Sequence, residues 1–265
     1  MNSTQYRNLL LHSILIFVLS FILNTTIHEG AHAVMAKITG LHPVLYHNYV
    51  SSSEGESAST LVKILTPAAG PLMSLLQGII FLFFLRRRSQ KSLITLFYLW
   101  MSVMGFINIG GYLMLTPLVP YGDTGKVFAL LNTPQWLKWV IALGGLIGLI
   151  RMISSFTPDF ENQVPGNIPD QNFVPGKLAN VLIALPVLVG CVLTSLLSLP
   201  VPTFISIIYP ATSPFIAFMI YGQLRGKGEN LVGKAVYPDN ISIPLVALTA
   251  LAIVGSRLLV SGVAL

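Results

Sequence analysis

Seven long apolar runs constrain this chain more than any other feature of its sequence. Each has about 20 residues or more, which is enough for an α-helix to cross the hydrocarbon core of a bilayer. Only 9% of the residues are charged and 54% are hydrophobic, whereas an average soluble domain is about one-quarter charged. The sequence therefore excludes a soluble enzyme and predicts an all-α, polytopic membrane protein with about six or seven transmembrane helices. The predicted spans are Asn8–Ile38, Leu61–Leu85, Ser92–Leu115, Trp136–Phe156, Leu178–Leu199, Pro202–Gly222, which prolines weaken, and Ile241–Leu265.

Basic residues indicate the orientation of these spans. If the N-terminus is cytoplasmic, most Lys and Arg residues, including Arg7 and the cluster Arg86–Arg88, fall on the cytoplasmic side, as the positive-inside rule requires. The segment Ala31–Ala33 resembles a signal-peptide cleavage site, but the apolar run continues to Ile38, so we expect the first span to be retained. We predict a multi-pass protein of a prokaryotic-type cell membrane, with the lipid bilayer as a partner and without nucleic-acid binding.

A metal-binding pattern lies at the end of the first span. His28 and His32 are four residues apart, so both rings project from one face of a helix and can bind one metal ion. Glu29 lies about 100° around the helix from His28, where it can reach a water molecule rather than the metal. Such side chains are costly in an apolar span unless they are paired or functional. The segment His28-Glu29-Gly30-Ala31-His32 therefore predicts a zinc site with Glu29 as the general base of a hydrolase.

A catalytic zinc site needs a third protein ligand, and Asp123 is the strongest candidate. It follows the third span, and because spans one and three run parallel, Asp123 and His32 fall on the same side of the membrane. Two alternatives stay open: Asp123 can instead cap a helix that begins at Thr124, and His42 or His47 can supply the third ligand. The other carboxylates lie in predicted loops and connectors: Glu54, Glu56, Asp159, Glu161, Asp170, Glu229 and Asp239.

Three motifs in the first half of the chain resemble those of the site-2 protease family of intramembrane zinc metalloproteases. The first is the His28–His32 pattern within a transmembrane helix. The second is Gly70-Pro71, followed by Ser74 where the family usually has Asn. The third combines Asn108 and two prolines with Asp123-Thr124-Gly125, in which a threonine is inserted into the family's Asp-Gly. The resemblance covers about residues 9–128.

The resemblance implies a zinc-dependent intramembrane endopeptidase that hydrolyses peptide bonds of membrane-embedded protein or peptide substrates. It implies that His28, His32 and Asp123 bind Zn²⁺. It further implies that Glu29 is catalytic and that Asn108 steadies the oxyanion or the substrate backbone. The alternative is a non-catalytic membrane protein that keeps the site for metal binding, metal transport or substrate holding, and the departures from the family motifs favour it.

Two further expectations concern the organisation of the chain. Residues 1–130 are expected to form a metalloprotease-like core of three transmembrane helices, and residues 131–265 to add accessory transmembrane helices. The segment His42–Val50 is rich in strand-forming residues. In proteases that resemble this one, an extended substrate can pair with an edge strand there. The alternative is an interfacial loop anchored by Tyr46 and Tyr49.

Overall fold

A computed structural model describes residues 3–52, 57–165, 175–226 and 234–265. The protein is 76% helical, and its described part contains seven helices that are long and apolar enough to cross a membrane. These findings confirm the predicted all-α, polytopic fold. Four of the carboxylates assigned to loops and connectors lie outside the described residues: Glu54, Glu56, Asp170 and Glu229. The seven candidate spans are Ser3–Ile38, Thr60–Arg87, Leu93–Leu115, Gln135–Glu161, Gly176–Leu197, Ser206–Gly226 and Ile243–Ser261.

Several of these spans are built from more than one helical segment. A π-helical turn at Asn180–Ala184 joins two segments of the fifth span, and a 3₁₀ turn at Ser213–Ala217 joins two segments of the sixth. In chain order the α-helices are α1 (Ser3–Ile38), α2 (Thr60–Arg87), α3 (Leu93–Leu115), α4 (Asp123–Leu130), α5 (Gln135–Ser154), α6 (Thr157–Glu161), α7 (Pro175–Ala179), α8 (Leu185–Leu197), α9 (Ile205–Thr212), α10 (Phe218–Gly226) and α11 (Ile243–Leu258).

The sixth and seventh spans depart from regular helices where the sequence contains Pro and Gly. α9 ends at Thr212, between Pro210 and Pro214, because proline lacks an amide hydrogen and disrupts the helical hydrogen-bond pattern. The predicted continuation of the last span to Leu265 is wrong, since the helical segment ends at Ser261. Gly262 has a φ of 78°, a left-handed conformation that glycine adopts without steric cost, and there the chain turns away from the helix.

The residues after Gly262 form part of a small antiparallel sheet. Strand β1 (Val44–Leu45) pairs with β2 (Val50–Ser51) on one side and with β3 (Val263–Ala264) on the other. The segment His42–Val50 therefore contains the central strand β1 and the start of the edge strand β2, with a loop that includes Tyr46 and Tyr49 between them. A Cβ atom at Gly262 would lie 2.7 Å from the ring of Tyr46, so the close approach of β3 requires glycine.

α1 and α3 form the interior of the helical assembly. In their most apolar stretches 56% and 72% of the residues are buried, against 11% in the last span. α1 contacts α2, α3, α8 and α11, and its Phe17 packs edge-on against Trp100 of α3 at 5.0 Å between ring centroids. Because the predicted zinc-binding motif lies on α1, the surrounding helices shield it from lipid.

Polar caps fix the helix ends next to this interior. Ser92 and Thr95 form a capping box at the start of α3, which satisfies amide hydrogens that lack a partner within the helix. At the end of α2, the buried ammonium group of Lys91 donates hydrogen bonds to the carbonyl oxygens of Leu85 (3.2 Å) and Arg88 (2.8 Å). The α2–α3 connection, which sets the spacing of the two helices, is thus tied down by hydrogen bonds.

The close contact between α2 and α3 predicts that a larger residue at Gly105 lowers the stability of the protein. A Cβ atom at Gly105 would lie 2.5 Å from the carbonyl oxygen of Ser74 and 2.8 Å from the amide nitrogen of Gly78. These are backbone atoms that cannot rotate away, so we expect Gly105→Ala to destabilise the protein by about 1–3 kcal/mol, or roughly 2–10 °C in Tm. Thermal unfolding in detergent would measure the change.

A matched control is Gly148→Ala on α5, where nothing lies within 4 Å of the added methyl group. We expect this variant to unfold at the wild-type temperature or slightly above it, because alanine favours the helix. Equal Tm values for the two variants would contradict the close α2–α3 approach.

Candidate metal centre

Three predicted ligand side chains meet at one point between α1, α2 and the start of α4. Nε2 of His28 lies 3.1 Å from Nε2 of His32, and the two nitrogens lie 3.2 and 3.1 Å from Oδ2 of Asp123. Both histidines are buried, and the Asp123 side chain is 20% exposed. Among the described residues, these three form the group that could hold a metal ion. The parallel course of α1 and α3 brings Asp123 to the two histidines, as the order of the spans predicts.

The hydrogen bond between His32 and the backbone leaves Nε2 of its neutral ring available to a metal ion. Nδ1 of His32 lies 2.7 Å from the carbonyl oxygen of Thr66, and since a carbonyl can only accept, Nδ1 carries the hydrogen of the neutral ring. Nε2 of His32 then presents its lone pair to the Asp123 carboxylate. Electron pairs at this distance repel each other unless a cation or a proton lies between them.

The spacing of the three ligand atoms also fits a zinc ion. Ligands at 2.0–2.1 Å from a tetrahedral zinc lie about 3.3 Å from one another, close to the 3.1–3.2 Å observed here. Two imidazoles and one carboxylate leave a fourth position open, which is the arrangement of a catalytic rather than a structural site.

Residues of α2 also contact the two histidines. The hydroxyl oxygen of Ser74 lies 3.0 Å from Nδ1 of His28, so the serine that replaces the family's asparagine contacts the site directly. A Cβ atom at Gly70 would lie 2.3 Å from Nε2 of His32 and 2.7 Å from Nε2 of His28. Gly70 therefore lets the backbone of α2 approach the ligand atoms, and Ser74 and the Thr66 carbonyl orient the rings, as outer-shell groups do in metal sites.

Glu29 lies on α1 within the predicted motif, and its role as general base stays a prediction. It is adjacent to His28 on α1 and 9% exposed, and the charges of His28, His32 and Asp123 act on its carboxylate. No residue in the described part of the chain forms a salt bridge with it. Within the described residues, the Glu29 carboxylate is therefore not held by an ion pair.

Asn108 lies on α3, one turn before the level of the ligands. It is 4% exposed, and its amide group interacts with the hydroxyl of Tyr209, which also accepts a hydrogen bond of 3.2 Å from Asn24. Within the described residues, Oδ1 of Asn108 is buried without a hydrogen-bond partner. Asn108 thus lies beside Tyr209 and Asn24, and its role toward substrate stays a prediction.

His47, considered as an alternative third ligand, has a different partner. Its Nε2 donates to the carbonyl oxygen of Ser198 at 2.9 Å, and Asn48 donates to the same oxygen. Burial lowers the pKa of His47, and the nearby Arg257 lowers it further, against the effect of the Ser198 hydrogen bond. His47 therefore caps the end of α8, and neither it nor His42 belongs to the described three-ligand group.

Sequence reasoning missed Tyr112, whose ring stacks on His28 at 5.2 Å between centroids and 7° between planes. The sequence held one usable signal, since Tyr112 is four residues after Asn108 and hence on the same face of α3. The closeness of Gly70 to the ligand atoms had no such signal, because it depends on how α1 and α2 pack.

These features define a polytopic membrane protein with a candidate metal centre between the end of its first span and the start of α4. Residues 8–200 match the family model described as Peptidase M50B-like, and the chain belongs to this family of site-2 proteases. The match extends beyond the resemblance seen in residues 9–128 and includes α5 to α8. No curated protein and no solved structure matches the chain.

Gly70 provides a test of the site geometry. We expect Gly70→Ala to reduce bound zinc to less than about one-tenth of the wild-type content, because the methyl group would displace both imidazole rings from the positions that ligands need. The rings are side-chain ends that can move, so the variant should still fold. Metal analysis of the purified protein would measure the loss.

Gly30→Ala is the matched control, because Gly30 lies within the His28–His32 motif and nothing lies within 4 Å of its added methyl group. It should retain the wild-type zinc content. Full zinc content in Gly70→Ala would show that α2 does not approach the ligands as described.

Proposed function

We propose that this protein is a zinc-dependent intramembrane endopeptidase that hydrolyses peptide bonds of membrane-embedded protein or peptide substrates. The observation that carries the proposal is the meeting of His28 Nε2, His32 Nε2 and Asp123 Oδ2 within 3.2 Å of one another, with Glu29 next to them. Membership of a peptidase family supports the reaction type. The seven apolar helices support the lipid bilayer as its surroundings.

His28, His32 and Asp123 would hold the zinc ion through the three atoms named above. When bound there, zinc supplies a Lewis acid that polarises the substrate carbonyl and lowers the pKa of water toward 7. Ser74 and the Thr66 carbonyl keep the Nδ1 side of each ring engaged, so that both Nε2 atoms stay directed at the ion.

Glu29 would move the protons of the reaction. Its carboxylate accepts a proton from the water molecule whose oxygen bonds to the peptide carbonyl carbon. It then delivers that proton to the amide nitrogen as the carbon–nitrogen bond breaks, which leaves a new carboxyl group and a new amine. The apolar surroundings strengthen these charge interactions because the effective dielectric constant is low.

The substrate has to present an unpaired carbonyl to this buried site. A transmembrane helix satisfies its backbone hydrogen bonds internally, so its peptide bonds become accessible only where the helix unwinds. We propose that cleavage occurs at substrate segments containing Gly or Pro, which loosen the helix.

We propose the same division of the chain as the sequence predicts. Residues 1–130 contain all four proposed zinc-binding and catalytic residues, and residues 131–265 form accessory helices that support the core through α8 and α11, which pack on α1. The location of the protein in a prokaryotic-type cell membrane also remains a prediction.

Glu29→Gln separates the protease from a non-catalytic metal-binding protein, because proton transfer needs the carboxylate and metal binding does not. We expect the variant to keep its zinc and to lose cleavage of single-span model substrates by at least about 100-fold. Zinc analysis and gel-based cleavage assays in detergent or liposomes would measure both quantities.

Asp123→Asn is the companion variant, and it should lose zinc as well as activity, since a neutral amide is a weaker ligand. Zinc in the wild type and in Glu29→Gln with cleavage by neither would overturn the protease and favour metal binding, transport or substrate holding. A wild-type protein without zinc would overturn both functions.

A further inference from the structure

The threonine inserted into the family's Asp-Gly motif joins the start of α4 to the end of α3. The Thr124 hydroxyl donates to the carbonyl oxygen of Tyr112 at 2.8 Å, and it accepts from the Thr116 hydroxyl at 2.8 Å. The amide of Thr116 donates to the same Tyr112 carbonyl at 3.1 Å. This chain of hydrogen bonds fixes the residue that directly follows Asp123.

Gly125 fixes the other side of the same turn. A Cβ atom at this position would lie 2.0 Å from the carbonyl oxygen of Val119 and 2.9 Å from Cα of Pro120. No side chain fits in that space, so the turn of α4 lies directly on the Val119–Pro120 backbone. Thr124 is therefore fixed by the hydrogen bonds of its side chain. Gly125 is fixed by close backbone packing, which its lack of a side chain allows.

Tyr112 connects this anchor with the ligands themselves. Its carbonyl oxygen accepts a hydrogen bond from Thr124, its ring stacks on His28, and its side chain lies within electrostatic reach of the Asp123 carboxylate. A single residue of α3 thus contacts the ligand His28 on α1 and Thr124, the residue after Asp123, on α4. These two segments are 95 residues apart in sequence, and the described contacts link both of them to Tyr112.

We propose that Thr124 and Tyr112 are positioning residues that hold Asp123 as the third metal ligand. The inference rests on the proposed zinc site. Asp123 needs such support because it follows a connection of seven residues, 116–122, and not a continuous helix. Without the Thr124 hydrogen bond, the carboxylate would spend only part of its time at the ligand position, and the apparent affinity for the metal would fall in proportion.

The test is the metal affinity of the full-length protein carrying Thr124→Val, Thr124→Ser or Tyr112→Phe. Valine keeps the shape of threonine but removes the hydroxyl, so we expect zinc binding to weaken by about 10–100-fold, the range typical of lost outer-shell partners. Serine restores the hydroxyl and should bind zinc nearly as tightly as the wild type. Tyr112→Phe should weaken binding while its ring still stacks on His28. Competition with a chromophoric chelator would measure each affinity.

Cobalt substitution supplies a second readout. A cobalt ion with two histidines, one carboxylate and one water has the intense visible absorption of four-coordinate sites. We expect Thr124→Val to change this spectrum and Thr124→Ser to restore it. A changed cobalt spectrum in a variant that keeps the wild-type Tm would report altered ligand geometry and not general destabilisation.

Thr249→Val is the matched control, because the Thr249 hydroxyl is buried and donates to the Leu245 carbonyl at 2.8 Å, on α11. Its zinc affinity should equal that of the wild type. Wild-type affinity in Thr124→Val and Tyr112→Phe would overturn the positioning role while leaving the zinc site intact. Absence of metal binding in the wild type would instead overturn the proposed function.

Discussion

The rest of the structure depends on one constraint. Polar side chains inside an apolar helical assembly have to find their hydrogen-bond partners among one another. Lipid offers no hydrogen-bond partner, so a histidine or carboxylate at this depth needs a partner from the protein or an ion. The ligand atoms of His28, His32 and Asp123 lie next to one another. The Nδ1 atoms of the two rings form hydrogen bonds with Ser74 and with the Thr66 carbonyl. The interior position of α1 meets this need, because the helices around it supply partners to His28 and His32.

The sequence predicted the parts that depend on composition, spacing or span order. Apolar runs set the seven helices, the four-residue spacing set the pairing of His28 and His32, and the parallel course of spans one and three set the side on which Asp123 lies. It could not predict the approach of Gly70 to both rings, because that depends on the distance between helices, and for Tyr112 it offered only the face of α3 shared with Asn108. It also placed the end of the last helix four residues too late, since a single Gly262 outweighs an otherwise apolar run.

Both departures from the family motifs involve polar atoms that contact the site or its supports. Ser74 reaches His28, and Thr124 reaches the backbone of Tyr112. A degenerating site would be expected to lose such contacts, because an unpaired polar group in an apolar interior costs free energy. Ser74 and the inserted Thr124 are therefore part of the packing around the candidate site, which a protease and a metal-binding protein would both need.

The small sheet has a consequence for the order in which the protein assembles. Every proposed ligand lies within the first 123 residues, so the metal centre can form once three spans have entered the membrane. The pairing of Val44 with Ala264 joins positions 220 residues apart and cannot form before the final helix has been inserted. Contacts between such distant positions are slow to form because their closure entropy has to be overcome first. Closure of the sheet beside α1 is therefore expected to be a late event, which ties the first helix to the last.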